Sequence, residues 1–282
     1  MPSNIRKWLQ RLLLALALVS AFMLVRQYRD NKASAAARDA ALQMALAAAE
    51  PETAPKETEP ESAEEVTLPA EPEPVFQWVT APDEGEDPHI TDLAQMDLNA
   101  LRAVNPDVIG WIRIPGTRVD YPILQGQDND YYLNHTWQGK SSSAGSIFME
   151  YLCIPDFSEF HTIVYGHNMN DGSMFAEIRK YGEQKFWKKN PYVYVVTDDG
   201  VFRYDVFSCY KADVDSDAYS LWLEEAESRQ AFLDYTQAQS NYDTGIRPEV
   251  TDRVLTLSTC SGSSSTRWVV HARLKMVRVQ VN

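Results

Sequence analysis

Residues 253–274 read Arg253-Val-Leu-Thr-Leu-Ser-Thr-Cys260, then Ser261-Gly-Ser-Ser-Ser-Thr266, then Arg267-Trp-Val-Val-His-Ala-Arg-Leu274. Two β-branched, apolar runs separated by small polar residues predict an antiparallel pair of strands. Such a pair sets Cys260, which ends one strand, beside Arg267, which opens the next. Side chains alternate between the two faces of a strand. Leu255 and Leu257 therefore share one face with the set Trp268, Val270, Ala272 and Leu274, which fits an apolar interior. Ser258, Cys260, Arg267 and His271 fall on the opposite, outer face.

Working outward, further strand-like runs recur between turn residues: Val108–Ile114, Val119–Leu124, Gly145–Glu150, Thr162–Tyr165, Tyr192–Thr197 and Phe202–Lys211. Together with the first pair they make eight strands in fewer than 200 residues, which predicts a closed barrel or a sandwich. A helix is expected over Ala218 to Gln239, from Leu221, Trp222, Ala226, Phe232 and Leu233. It falls between the sixth and seventh strands. A shorter N-terminal helix, capped by Thr91 or Asp92 and running to Val104, is stopped by Asn105-Pro106.

The N-terminal third has another character. Leu12–Val25 is a run of fourteen residues without a charge, short of a hydrocarbon core of about 30 Å unless flanking Trp8, Arg11, Arg26 and Tyr28 extend it. It predicts a signal anchor over residues 1–32; the alternative is a signal peptide cleaved near Ala33-Ser34-Ala35. Basic residues flank both ends, so charge does not fix the orientation. Residues 33–49 are alanine-rich and predict a helix next to the membrane. The segment Glu50 to Pro88 holds eight of the fifteen prolines and thirteen of the forty acidic residues, a composition that predicts a disordered, extended spacer. The folded domain is expected over 90–282. Most of the net charge of −14 belongs to the acidic segment, leaving about −7 for residues 89–282. No basic face is available to neutralise phosphates, which excludes nucleic acid as a partner.

The three cysteines, Cys153, Cys209 and Cys260, include no CxxC and no zinc-type spacing, so neither a disulfide framework nor a metal is expected. A thiol at a strand end beside a guanidinium suits acyl transfer: sulfur attacks a carbonyl and the cation stabilises the oxyanion. A proton carrier is also required. His167 is the best candidate, because Thr162-Ile-Val-Tyr-Gly-His-Asn168 is a buried-strand run whose glycine turn delivers the imidazole at a rim. His271 shares a face with Arg267 but lies about 13 Å along the strand from it. His89, His135 and His161 read as surface residues.

Thr256-Leu-Ser-Thr-Cys260 followed by Arg267 resembles the signature of the sortase family. Gly110-Trp111-Ile112 with Tyr121-Pro122-Ile123, Gly145-Ser-Ile-Phe-Met149 and Thr162-Ile-Val-Tyr-Gly-His-Asn-Met169 resemble its class B members in the same order. The resemblance spans roughly residues 90–280. It implies an eight-stranded sortase barrel outside a Gram-positive type membrane, a single-pass anchor and no cofactor. It implies a cysteine transpeptidase with Cys260 as nucleophile, His167 as proton-transfer partner and Arg267 as oxyanion stabiliser. Its partners would be surface proteins carrying a C-terminal sorting signal, and an amine of a peptidoglycan precursor or a pilin. Ser258, Thr259, Asn129, Leu133 and Tyr219 match substrate-contact positions. The chain departs from the pattern at Ser261-Gly262, where class B enzymes often carry acidic residues, and at Asp215, where others carry Thr; both leave the sorting motif open between NPxTN-like and (S/N)PxTG-like. Two alternatives use the same site: a peptidase releasing the free acid, and a non-catalytic barrel that binds surface proteins.

Overall fold

The computed structural model describes residues 3–47, 75–79 and 87–281. Most of the acidic segment, expected as a disordered spacer, therefore lies outside the described residues.

A first helix, α1 (Ser3–Ala47), is followed by a short strand β1 (Val75–Val79) and two short helices, α2 (Pro88–Leu93) and α3 (Leu98–Arg102). The single N-terminal helix expected to run through Val104 is thus two. Each starts on an aspartate, Asp87 and Asp97, whose carboxylate accepts the backbone N–H two residues on, the arrangement that satisfies a helix's first free donors. Asp97 breaks the run because its own N–H bonds the carbonyl of Ala45 in α1 at 3.0 Å.

The eight expected strands follow as β2 (Val108–Arg113), β3 (Asp120–Leu124), β4 (Ile147–Met149), β5 (His161–Tyr165), β6 (Tyr192–Thr197), β7 (Gly200–Asp213), β8 (Val254–Cys260) and β9 (Thr266–Val281). They pair in the order β9-β7-β6-β2-β3-β4-β5-β8, and β8 pairs back onto β9, closing the barrel. The pairs β3–β4 and β5–β8 are parallel. The strand β1 adds to the far end of β9 through Val75↔Val281 to Val79↔Val277, an addition the sequence reading did not contain. Glycine is required at Gly116, in the β2–β3 turn, where φ is +76°.

Inside the barrel, Leu255, Leu257, Val270 and Ala272 are fully buried with Ile112, Val195 and Phe202, as the alternation along β8 and β9 predicts. A second apolar layer lies outside the barrel, where Ile90, Leu93, Leu98 and Leu101 of α2 and α3, with Ala41 and Ala45 of α1, cover Trp111 and Tyr194. A third is formed by α5 (Ala226–Gln239), introduced after the short helix α4 (Gln184–Lys189) and lying between the sixth and seventh barrel strands. Phe232 and Leu233 of α5 bury Phe160, Phe207 and Val254. The helix expected from Ala218 starts eight residues later. Residues 217–219 form a single 3₁₀ turn, and Trp222 takes a left-handed φ of +55°, a conformation that no α-helix continues through.

Candidate active site

β8 and β9 bring the first two candidate residues together: Cys260 and Arg267 are direct cross-strand partners. The third comes from β5, whose parallel pairing with β8 sets Tyr165 opposite Ser258 and carries the next two residues, Gly166 and His167, alongside the end of β8. The glycine is needed there. A Cβ on Gly166 would sit 2.4 Å from Ile147 Cδ1 and 2.8 Å from the Phe175 ring, well inside van der Waals contact. The turn is laced to β8 by Gly166 N–H to the Ser258 carbonyl (3.2 Å), Thr259 Oγ1 to the Gly166 carbonyl (2.7 Å) and Asn168 Nδ2 to the Cys260 carbonyl (2.9 Å).

His167 Nε2 lies 2.7 Å from the carbonyl of Leu133. A carbonyl only accepts, so Nε2 carries the hydrogen and Nδ1 is left for the thiol. The interaction between the His167 imidazole and the Cys260 thiol is the largest influence on both groups: it lowers the thiol's pKa and raises the imidazole's. Burial opposes the shift at each. The positive charge of Arg267 lowers the thiol further. Cys260 is half-buried, so part of it is open to solvent. Cys153 and Cys209 are buried in the core, where loss of water raises their thiols, Cys153 to about 12. The Arg267 guanidinium is held by the β8–β9 loop, Nη1 donating to the carbonyls of Ser263, Ser264 and Thr266 at 3.2, 3.2 and 2.9 Å.

These residues share one open groove with Asn129, Leu133, Ser258 and Thr259. Tyr219 does not line it, but its hydroxyl lies 2.9 Å from Oγ of Ser258, which does. Asn129 is fixed at both ends of its amide: Nδ2 donates to the buried carboxylate of Glu150 (2.7 Å) and Oδ1 accepts from Tyr151 N–H (3.1 Å). The Tyr165 hydroxyl donates to the same Glu150 oxygen. The Thr259 hydroxyl is engaged by Gly166. Leu133 contributes its carbonyl to His167 and leaves its side chain at the groove surface. Sequence reasoning missed the Leu133 carbonyl, Asn168 and Glu150. The Asn directly after the histidine was the one legible signal, since main-chain carbonyls leave no trace in composition.

Two further histidines belong to the wall behind the groove. His161, read as a surface residue, is 4% exposed, and His271 is fully buried because α5 covers the outer face of β9 at that point. They form a chain of hydrogen bonds with one direction. His161 Nδ1–H donates to the Ser220 carbonyl (2.7 Å), so its bare Nε2 accepts from Thr256 Oγ1 (2.7 Å). Thr256 Oγ1 in turn accepts from His271 Nδ1–H (2.7 Å), leaving His271 Nε2 to accept from the Tyr210 hydroxyl (3.1 Å). Burial depresses both imidazoles, His161 to about 4. His271 is therefore a structural neutral group and not a second proton carrier. Among the described residues no cluster of three or more His, Cys, Asp or Glu side chains is arranged to hold a metal ion.

A model of the Sortase domain matches residues 112–275. The chain belongs to the sortase family, in class B. Sortase B of Listeria monocytogenes is 37% identical over 164 residues, covering 58% of this chain and 67% of that protein. Sortase B of Staphylococcus aureus is 34% identical over 166 residues, 59% of this chain and 68% of that one. Among solved structures, a Staphylococcus aureus sortase B–substrate complex superimposes with a TM-score of 0.60 at 32% identity, covering 66% of this chain and 85% of that one. As a class B sortase the chain is a cysteine transpeptidase of the cell-wall anchoring kind, built on the closed eight-stranded sortase barrel.

Proposed function

We propose that this sortase is anchored by α1 and cleaves a C-terminal sorting motif after its Thr, with Cys260, His167 and Arg267 as the reacting groups. His167 Nδ1 takes the Cys260 proton and the thiolate attacks the Thr carbonyl carbon. Arg267 stabilises the oxyanion, and collapse of the tetrahedral intermediate breaks the peptide bond as His167 returns its proton to the departing amine. A thioester remains on Cys260. An amine of a peptidoglycan precursor or a pilin then attacks it, loses a proton to His167, and expels the thiolate. The observation that carries this reading is the meeting in one groove of a thiol, an imidazole whose far nitrogen is locked by Leu133, and the cross-strand guanidinium. Ser258, Thr259, Asn129 and Leu133 are assigned to the walls that hold the motif, with Tyr219 bonded to Ser258.

The anchor reading rests on α1, whose stretch from Leu12 is long and apolar enough to cross a membrane and is exposed in the structure. It implies a single-pass protein with the barrel outside the cytoplasm.

Incubating the full chain with a sorting peptide, with and without a small amine, tests the activity. The expected product carries the amine. Free acid alone in both reactions would instead assign a peptidase, and no cleavage at all would favour a non-catalytic barrel.

Arg267 makes a second prediction. Its charge stabilises the thiolate, so Arg267→Met moves the pH midpoint for alkylation of Cys260 upward, while Cys153 and Cys209 stay unmodified at neutral pH in both proteins. Peptide mass spectrometry across a pH series reads both outcomes. An unmoved midpoint removes Arg267 from the electrostatics of the thiol.

A further inference from the structure

The last third of α1 is not free. Ser34 is 4% exposed and Ala41 and Ala45 are fully buried. With Ala37, they form one stripe of small residues spaced by three or four, the spacing of one helix face. Four hydrogen bonds tie that face to the barrel. Asp30 Oδ2 accepts from Ser143 Oγ (3.2 Å), Ser34 Oγ meets Ser142 Oγ (2.8 Å), the Ala37 carbonyl accepts from Trp137 Nε1 (2.8 Å), and the Ala45 carbonyl accepts from Asp97 N–H (3.0 Å). Arg38 adds a cation–π contact over Tyr121 at 5.8 Å.

The acidic segment therefore leaves from a helix already seated on the catalytic domain. It returns at Asp87, which is also seated there, accepting from the Tyr194 hydroxyl at 2.7 Å. Whatever its length, a connection whose two ends lie on one body sets no distance between that body and the membrane.

We infer that residues 30–47 of α1 are a docked strut that holds the barrel against the bilayer, so that the acidic segment, joining two points of one body, is not the tether. The inference rests on the anchor reading above. Along the helix, Val25 ends the apolar run five residues before Asp30, about 8 Å at 1.5 Å per residue. The seat of the strut is the hairpin 134–142, held by the His135↔Ser141 bridge and by Ser142 N–H to the Asn134 carbonyl (2.8 Å). That hairpin begins one residue after Leu133, whose carbonyl orients His167. One continuous segment thus joins the seat of the strut to the carbonyl that orients His167.

The test uses the full chain in membranes, with a site-specific protease sequence inserted after Pro60. After cleavage the catalytic part is expected to remain in the membrane fraction. Ala41→Glu with Ala45→Glu, which put two charged chains into the buried stripe, should release at least fivefold more of it. Release by cleavage alone, to the level of the double variant, overturns the inference. Retention that the double variant leaves unchanged overturns it as well. A second arm separates this from failure of the anchor reading. In a Cys260→Ala background, Ser34→Cys and Ser142→Cys replace two γ atoms 2.8 Å apart, within reach of a disulfide. If the uncut chain never sediments with membranes, the anchor reading falls. A disulfide that forms under mild oxidation then still shows the docking, and one that does not form refutes it.

Discussion

His167→Ala slows acylation of Cys260 by about three orders of magnitude, inside the range usual for loss of a positioned acid–base group, and Cys260→Ala abolishes it. The first loss has two parts. The departing amine no longer receives a proton, and the thiol loses the partner that most lowers its pKa. The pH dependence separates them. In the native pair the rate rises as the lowered thiol ionises and falls as the raised imidazolium deprotonates, giving a bell. In His167→Ala the falling limb disappears and the rising limb moves to higher pH. Because Cys260 and His167 act as a unit, the double variant should be no slower than Cys260→Ala alone. Both groups lie on a groove, so melting temperatures should stay near that of the native chain. A His167→Ala protein acylated at native rates would remove the imidazole from the reaction.

Thr256→Val is expected to cost about 2–6 kcal/mol of folding stability, although it keeps the side chain's shape. Thr256 is fully buried, donating to His161 Nε2 and accepting from His271 Nδ1–H. Valine can do neither, so two buried polar groups lose their partners at about 1–3 kcal/mol each. At roughly 2–4 °C per kcal/mol for a domain of this size, melting should fall by on the order of 4–24 °C. The same network fixes an acid limb of stability. His161 titrates near 6.5 when unfolded and about 4 when folded, because burial disfavours its charged form. Between those values the unfolded chain binds the extra proton, so stability falls as pH drops from about 6.5 toward 4. Melting temperatures measured from pH 8 to pH 4 check both statements. A Thr256→Val protein as stable as the native chain at pH 8 would show that the hydroxyl's two bonds contribute nothing.

Much of the barrel was readable because β8 and β9 carry a strict alternation and a small polar loop between them. Those two features set the Cys260–Arg267 pairing, the interior set of Leu255, Leu257, Val270 and Ala272, and the outward face. His167 was readable from the strand–glycine–histidine order. What sequence did not give depends on contacts between distant segments. His161 lies at a strand start, where exposure is the usual state, and only the later helix α5 with Ser220 encloses it. The long helix was expected to begin at Ala218 because its apolar spacing begins there. The carbonyl of Ser220 is instead drawn to His161, and Trp222 turns left-handed. In the same way, the alanine-rich run predicted a helix but not its partner. The stripe Ser34, Ala37, Ala41 and Ala45 has the small residues of a close helix contact, yet nothing local names the surface it meets. The split of α2 from α3 likewise turns on Asp97 bonding Ala45.

The parallel pairing of β5 with β8 has one more consequence. His161 and Val254, its first partners, are about ninety residues apart in the chain, and contacts between segments so remote form late and slowly because a large loop must close first. Local turns can shape the hairpin that carries the thiol early, but its imidazole neighbour arrives only when this long loop closes. A newly made chain is therefore expected to lack the thiol–imidazole pair until that closure, and the appearance of a reactive thiol during refolding would time the pairing of β5 with β8.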